Sequence, residues 1–310
     1  MKVLSLFDGM SCGQIALNKL GVSVEDYFAS EVDKYAIQIA KKNFPTTKHI
    51  GDVRDISSDM LPSIDLLIGG SPCQNFSFSG SKKGMTTKED LEVTTLEQYL
   101  DLKKDGFEFN GQSYLFWEYV RLLKEVKPKY FLLENVNMSF KWKDLISNTL
   151  GVQPIKIQSS SVSAQSRTRL YWTNIPNVEV PKDKGIVLGD ILEPKESFKL
   201  PQHVQDRLKI YDKPKGIVYG DTKKETTKIG QRDECFSLEG ISGCLTATMY
   251  KQPPQYIYKN EAYKLSPTDC EKLQTVPVGY TEGVSNSQRY KMLGNGWTVD
   301  VIAHILSFIE

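Results

Sequence analysis

The strongest constraint on the fold of this chain is an alternation that runs through its first 136 residues. Short apolar runs, each closing beside a glycine or an acid, take turns with segments of helical spacing. Residues 2–7 (KVLSLF), 26–32 (DYFASEV), 49–53 (HIGDV), 65–70 (DLLIGG) and 130–136 (YFLLENV) read as strands. Between them Ile15, Ala16, Leu17 and Leu20 fall largely on one helical face, with Gly21 as the stop. Residues 34–43 and 115–126 carry the same helical period. Strand and helix in turn predict an α/β, Rossmann-like domain, a mostly parallel sheet with helices on both faces. Such sheets bind ligands at the carboxyl ends of their strands.

Two regions break the alternation. Residues 81–112 are polar and charged, and residues 177–264 turn to prolines, short strands and lysines. The division this suggests is a sheet domain over 1–176, a small second domain over 177–264, and a segment over 265–310 that returns to the sheet domain. The 310 residues are enough for one large domain and a small one. A formal net charge of +1 gives no whole-chain signature of a nucleic-acid partner, so basic residues serving one must cluster locally. The five cysteines are odd in number and form no CxxC pair, and the three histidines are scattered. Neither a disulfide framework nor a metal site is expected. No apolar run is long enough to span a bilayer, and residues 1–10 enter a strand directly, so a reducing cytoplasm is the default expectation.

Four segments carry the chemistry. Residues 5–17 (SLFDGMSCGQIAL) make a strand, a tight turn with Gly9 and Gly13, and a helix, where backbone can approach a ligand closely. The spacing is not GxGxxG, so a dinucleotide fingerprint fits poorly. Glu31 and Asp52 close the second and third strands, placed for ribose hydroxyls and an adenine amino group. Cys73 follows Gly69, Gly70, Ser71 and Pro72, a constrained turn that would lift a thiol above the sheet. It is either an inert loop cysteine or a nucleophile, which needs a thiolate. Glu134 and Asn135 end a very apolar strand, where a desolvated carboxyl is fit to hold and donate a proton. Arg167 and Arg169 share one face of a further strand; alone, surface salt bridging explains them as well as function does.

In their order, LFDGMSCG, GGSPCQNFS, LLENV, QSRTR, CLTATMY and YKMLGNGWTVDVI resemble the DNA (cytosine-5) methyltransferases of the compact bacterial or phage type. The resemblance covers residues 2–176 and 240–310. It implies a methyltransferase that uses S-adenosylmethionine and acts on cytosine carbon 5 in double-stranded DNA. Cys73 would attack carbon 6 of the flipped-out base, Glu134 would stabilise protonation at ring nitrogen 3, and Arg167 and Arg169 would hold the base and orient Glu134. Phe7, Gly9, Ser11, Gly13, Glu31 and Asp52 would bind the cofactor, with Pro72, Leu115 and Asn295 completing its pocket. Pro72 and Gln74 would also shape the nucleophile turn, and residues 75–84 resemble the loop that closes over the base. The family also admits a cognate restriction endonuclease as partner, and a monomer. A tRNA-methylating relative with the same machinery is the alternative, since CLTATMY (244–250) lies near that branch's Cys-Phe-Thr segment.

The chain departs from the compact bacterial pattern between Cys73 and Leu115. Residues 86–110 read as an inserted helix plus turn, with three lysines against seven acids. The insertion is either a surface decoration or a flap on DNA, and its charge argues against the flap. Lys213, Lys215, Lys223, Lys224, Lys228 and Arg232 are the candidates for base or phosphate contacts.

Overall fold

The computed structural model describes residues 1–73, 76, 84–224, 230 and 233–310. Gln74, most of the 75–84 loop, Lys228 and Arg232 lie outside the described residues. The chain forms two compact units. Unit 1 holds residues 1–157, 168–180 and 305–310; unit 2 holds 158–167 and 181–304. The boundary differs from the division read in the sequence, because residues 265–304 group with unit 2 and only the last six return to the sheet unit. Hydrogen bonding within unit 2 accounts for this: Gln165 donates to the carbonyl of Leu273 and to the side chain of Gln274, and Gln274 donates to the carbonyl of Leu293.

Unit 1 runs β1 (Lys2–Leu6), α1 (Cys12–Lys19), β2 (Asp26–Ser30), α2 (Lys34–Asn43), β3 (Lys48–Gly51), β4 (Leu66–Gly70), α3 (Leu96–Lys104), α4 (Phe116–Val126), β5 (Tyr130–Val136), α5 (Phe140–Leu150), β6 (Ile155–Gln158) and β7 (Thr168–Thr173). The sheet order is β3-β2-β1-β4-β5-β7-β6. The strands from β3 to β5 are parallel, and β7 runs antiparallel to β5. The strand order reverses at β1, between β2 and β4, which opens a crevice at the carboxyl ends there. The central strands are apolar on both faces, as parallel strands covered on both sides must be: Leu66, Leu67, Ile68, Leu132 and Leu133 are fully buried. Trp172 of β7 is fully buried too, and its indole N–H donates to the Ser147 hydroxyl on α5. Helix starts are specified locally; the Asp33 carboxylate caps α2 by accepting from the backbone of Tyr35 and Ala36.

Unit 2 contains α6 (Leu188–Ile191), α7 (Gln202–Gln205), β8 (Lys209–Lys215), β9 (Val218–Asp221), β10 (Glu234–Ser237), β11 (Gln255–Tyr258), β12 (Glu261–Lys264), α8 (Pro267–Leu273), α9 (Asn286–Asn295) and most of α10 (Val299–Leu306). Its five strands form one sheet in the order β12-β11-β10-β9-β8. The carboxylate of Glu271 on α8, itself fully buried, is satisfied by Arg289 of α9 and by the backbone of Gly279 and Thr281.

Gly294, near the end of α9, has no room for a side chain. A Cβ there would lie 2.2 Å from the backbone of Thr246. Neither neighbour can yield without moving main chain. Gly294→Ala is therefore expected to cost about 1–3 kcal/mol of stability, read as a lower urea midpoint; an unchanged midpoint would refute the close approach.

Candidate active site

The turn that carries Cys73 is built at the end of β4. Gly70 pairs with Glu134 across the β4–β5 ladder, so the two strand ends stand side by side. Beyond Gly70 the chain continues as Ser71-Pro72-Cys73, and the Cys73 carbonyl accepts from the backbone N–H of Phe76. Asn135, 1% exposed, donates its amide to both the carbonyl and the hydroxyl of Ser71, at 3.2 and 3.0 Å. Its own carbonyl oxygen accepts from the Val136 N–H at 2.8 Å. One side chain of β5 thus fixes the turn that carries the thiol. The Phe76 ring sits 5.8 Å from that of Trp142, and a Cβ on Gly84 would overlap the Trp142 ring. The described residues at both ends of the 77–83 segment therefore rest on one tryptophan.

Three of the other four cysteines are closed off from solvent. Cys12, Cys235 and Cys270 are buried, and burial pushes the Cys235 thiol up to about 12 and the Cys270 thiol well above its usual range. Cys244 is half-buried against Arg167, whose Nη1 lies 3.5 Å from its sulfur. Cys73 is the half-exposed thiol at the carboxyl edge of the parallel strands.

The two arginines are not equivalent. Arg169 of β7 places its Nε 2.9 Å from the Glu134 carboxylate, a pair of low exposure that fixes the direction of the acid. Arg167 precedes the strand and turns into unit 2. Its guanidinium donates to the carbonyls of Leu245, Gly294 and Gly296. This corrects the expectation that the two arginines share one face of a strand: β7 begins at Thr168, and Arg167, 3% exposed, commits its donors to backbone. The carbonyls of Gly294 and Gly296 flank Asn295, so within unit 2 Arg167 anchors the exposed residue that the sequence places at the cofactor.

The first turn of unit 1 runs through the left-handed region. Phe7, Gly9 and Ser11 all take positive φ, at 56, 58 and 64°. A Cβ at Gly9 would meet nothing within 4 Å, which leaves room at the strand end. Gly13 serves packing instead: a Cβ there would strike Ile68 at 2.2 Å, so its absence lets α1 lie close on β4. Glu31 is held by three backbone N–H groups, of Gly9, Val32 and Asp33, each at 2.8 Å. Asp52 accepts from the Arg54 backbone and from both ends of its guanidinium fork; that hydrogen bonding holds the Asp52 carboxyl below the usual carboxylate range. Pro72 is half-buried in the nucleophile turn, and Leu115 sits where a short 3-10 turn enters α4.

The sequence reading passed over Asp8. Its carboxylate is buried beneath the turn and accepts from the hydroxyls of Ser11 and Tyr27. Ser11 therefore spends its side chain inward and offers a ligand only backbone. In unit 2 a cleft of about 890 Å3 is lined by Arg207, Lys224, Lys251 and Lys264 against Asp233, with Thr246 and Thr248 of the CLTATMY segment. Among the described residues no cluster of three or more His, Cys, Asp or Glu could hold a metal ion, and no helix is long and apolar enough to cross a membrane.

A parallel sheet whose central strand ends present a thiol, an ion-paired carboxylate and a glycine turn flanked by two acids defines a Rossmann-like group-transfer enzyme. The family described as C-5 cytosine-specific DNA methylase matches residues 1–150 and 157–310, and the chain belongs to it. The Type II methyltransferase M.HhaI of Haemophilus parahaemolyticus is 26% identical, covering 98% of this chain and 93% of its own. M1.ScrFI of Lactococcus lactis subsp. cremoris is 28% identical over 97% of this chain and 76% of its own. Among solved structures, a DNMT2 of Spodoptera frugiperda superposes with a TM-score of 0.68 at 18% identity, covering 99% of this chain and 98% of its own. A likeness at that identity shows the fold.

Asp8 generates a pH prediction. Burial pushes its carboxyl from 3.8 up to about 6, against the opposing hydrogen bonds. A carboxyl with a raised pKa holds its proton more tightly when folded, so its stabilising contribution is full below about pH 4 and is lost as pH rises through about 6. Asp8→Asn removes this dependence. The stability of wild type relative to the variant is expected to fall between pH 4 and 7 by on the order of 1–3 kcal/mol, measured by urea unfolding at each pH. A constant difference would contradict the buried charge.

Proposed function

We propose that this chain transfers a methyl group from S-adenosylmethionine to carbon 5 of cytosine in duplex DNA, through a covalent adduct of Cys73 with a base turned out of the helix. The observation that carries the reading is the pairing of strand ends: Cys73 on a turn pinned by Asn135, beside a Glu134 oriented by Arg169. Cytosine carbon 5 is a poor nucleophile. Addition of the Cys73 thiolate to carbon 6, with Glu134 holding a proton at ring nitrogen 3, converts the ring to an enamine and makes carbon 5 electron-rich. After carbon 5 is alkylated, loss of its proton and expulsion of the Cys73 sulfur restore the aromatic ring. Arg169 keeps the Glu134 carboxyl aimed throughout.

The residues of the first crevice fit the methyl donor. The Phe7–Ser11 turn would face its amino-acid end, Glu31 the ribose hydroxyls and Asp52 the adenine amino group, with Pro72 and Leu115 closing on it; the family resemblance adds Asn295. When bound, the donor supplies an electrophilic methyl on a sulfonium. The basic cleft of unit 2, with Lys213, Lys215 and Lys223 outside it, would meet DNA; most such lysines bind phosphate and are blind to sequence. Extrusion of the base costs a few kcal/mol, which contacts along the duplex offset.

The reading is tested with labelled methyl donor. Incorporation into duplex DNA and not into tRNA is expected; incorporation into tRNA alone would establish the alternative substrate. Cys73→Ser is expected to abolish transfer and the covalent adduct with duplex DNA carrying 5-fluorocytosine. Glu134→Gln is expected to slow transfer by about 10²–10⁴-fold with cofactor affinity unchanged. An adduct that survives loss of Cys73 would overturn the mechanism.

A further inference from the structure

The insertion between the nucleophile turn and α4 is a folded element of unit 1. Antiparallel bridges join Thr86 to Glu92 and Thr87 to Phe109, and the Asn110 side chain donates to the Thr87 carbonyl at 2.6 Å. Its helix α3 is fastened to α4 through a fully buried carboxylate. Glu118 of α4 accepts from the Tyr99 hydroxyl at 2.5 Å, from Lys103 Nζ at 2.6 Å and from Arg121 Nε at 2.7 Å. Tyr99 and Lys103 belong to the insertion, and Arg121 does not. The other end of Arg121 reaches the Val53 carbonyl at 3.1 Å, and Val53 is the residue after Asp52.

A second line of contacts ends at the same place. Phe109 of the insertion stacks on Tyr114, with ring centroids 4.5 Å apart and planes 21° apart, and Tyr99 lies 5.2 Å from Phe109. The Tyr114 hydroxyl interacts electrostatically with the Arg54 guanidinium, and that guanidinium grips the Asp52 carboxylate through Nε and Nη2. Tyr114 also directly precedes Leu115. Two chains of contact, one polar through Glu118 and Arg121 and one aromatic through Phe109 and Tyr114, thus run from the insertion to residues 52–54.

We infer that residues 86–110 are a positioning element for the cofactor's adenine end, setting Asp52 through Tyr114 and Arg54, and are neither a surface decoration nor a flap on DNA. This rests on the reading of Asp52 and Leu115 as cofactor contacts given above. The acids of the insertion agree with the assignment. Glu97 pairs with Lys124, Glu92 with Lys141 and Glu108 with Lys88, so several of its negative charges are answered within unit 1. Phe109 and Tyr114 are positioning residues; the group they place is the Asp52 carboxylate, which would accept from the adenine 6-amino group.

The test compares S-adenosylhomocysteine with S-inosylhomocysteine, which carries an oxygen in place of the 6-amino nitrogen and a proton on ring nitrogen 1. Deleting the whole insertion would expose the buried Glu118 and threaten the fold, so point variants are used. Tyr114→Phe removes the hydroxyl and keeps the stack; Phe109→Leu removes the stack and keeps an apolar side chain. Binding of each ligand is measured by calorimetry on the full chain, with thermal unfolding and duplex-DNA affinity measured alongside. Both variants are expected to weaken S-adenosylhomocysteine by about fivefold, the equivalent of one hydrogen bond. Both should leave S-inosylhomocysteine and DNA affinity within about twofold. Unchanged affinity for S-adenosylhomocysteine, or equal weakening of both ligands, would overturn the positioning role. A wild-type chain that binds S-adenosylhomocysteine no better than S-inosylhomocysteine would overturn it too. A wild-type chain that binds neither would overturn the cofactor reading itself, and the inference with it.

Discussion

The geometry of the site depends on one buried side chain, the amide of Asn135. It spans from β5 to the turn after β4 and donates twice to Ser71, two residues before the thiol. Each such bond adds only about 1 kcal/mol to stability, a small part of what the apolar strands beneath supply. Its larger effect is positional. A reacting atom misplaced by about 1 Å can lose about 10²-fold in rate, and the amide ties the Ser71–Cys73 turn to β5. The acid is placed by the same strand, since Glu134 is the neighbour of Asn135 and is turned by Arg169 from β7. A single strand end therefore sets both the thiol turn and the carboxylate, and the sheet fixes their register through Gly70 and Glu134.

The alternation of the first 136 residues made unit 1 legible, because buried parallel strands must be continuous apolar runs and their helices must keep one apolar face. Expected strands at 2–7, 26–32, 49–53, 65–70 and 130–136 appear as β1 to β5 with ends moved by a few residues. The glycine turn, the two acids and the thiol each left alternatives open when taken alone; only the resemblance of the ordered motifs pointed to them together. Unit 2 was not legible in this way. Its β8 is largely exposed and rich in lysine, so no period there marks a buried face.

What the sequence concealed was direction. Arg167 and Arg169 are two apart and look interchangeable, yet one turns to Glu134 and the other grips the carbonyls around Asn295. The difference arises because β7 begins at Thr168, so only Arg169 belongs to the ladder. Asp8 was hidden for the same reason: an acid in a glycine turn reads as exposed, and the structure buries it under Ser11 and Tyr27. The insertion read as decoration because its composition is polar. Its anchoring residues, Tyr99 and Lys103, look like ordinary surface until Glu118 is found beneath them, fully buried.

The most direct measurement is the single-turnover methylation rate of Asn135→Ala on duplex DNA, with cofactor affinity and thermal unfolding recorded on the same protein. If the amide places the thiol, the rate falls by about 10–100-fold while cofactor affinity stays within twofold and the protein remains folded. A rate within twofold of wild type would contradict the claim that this contact holds the nucleophile in place.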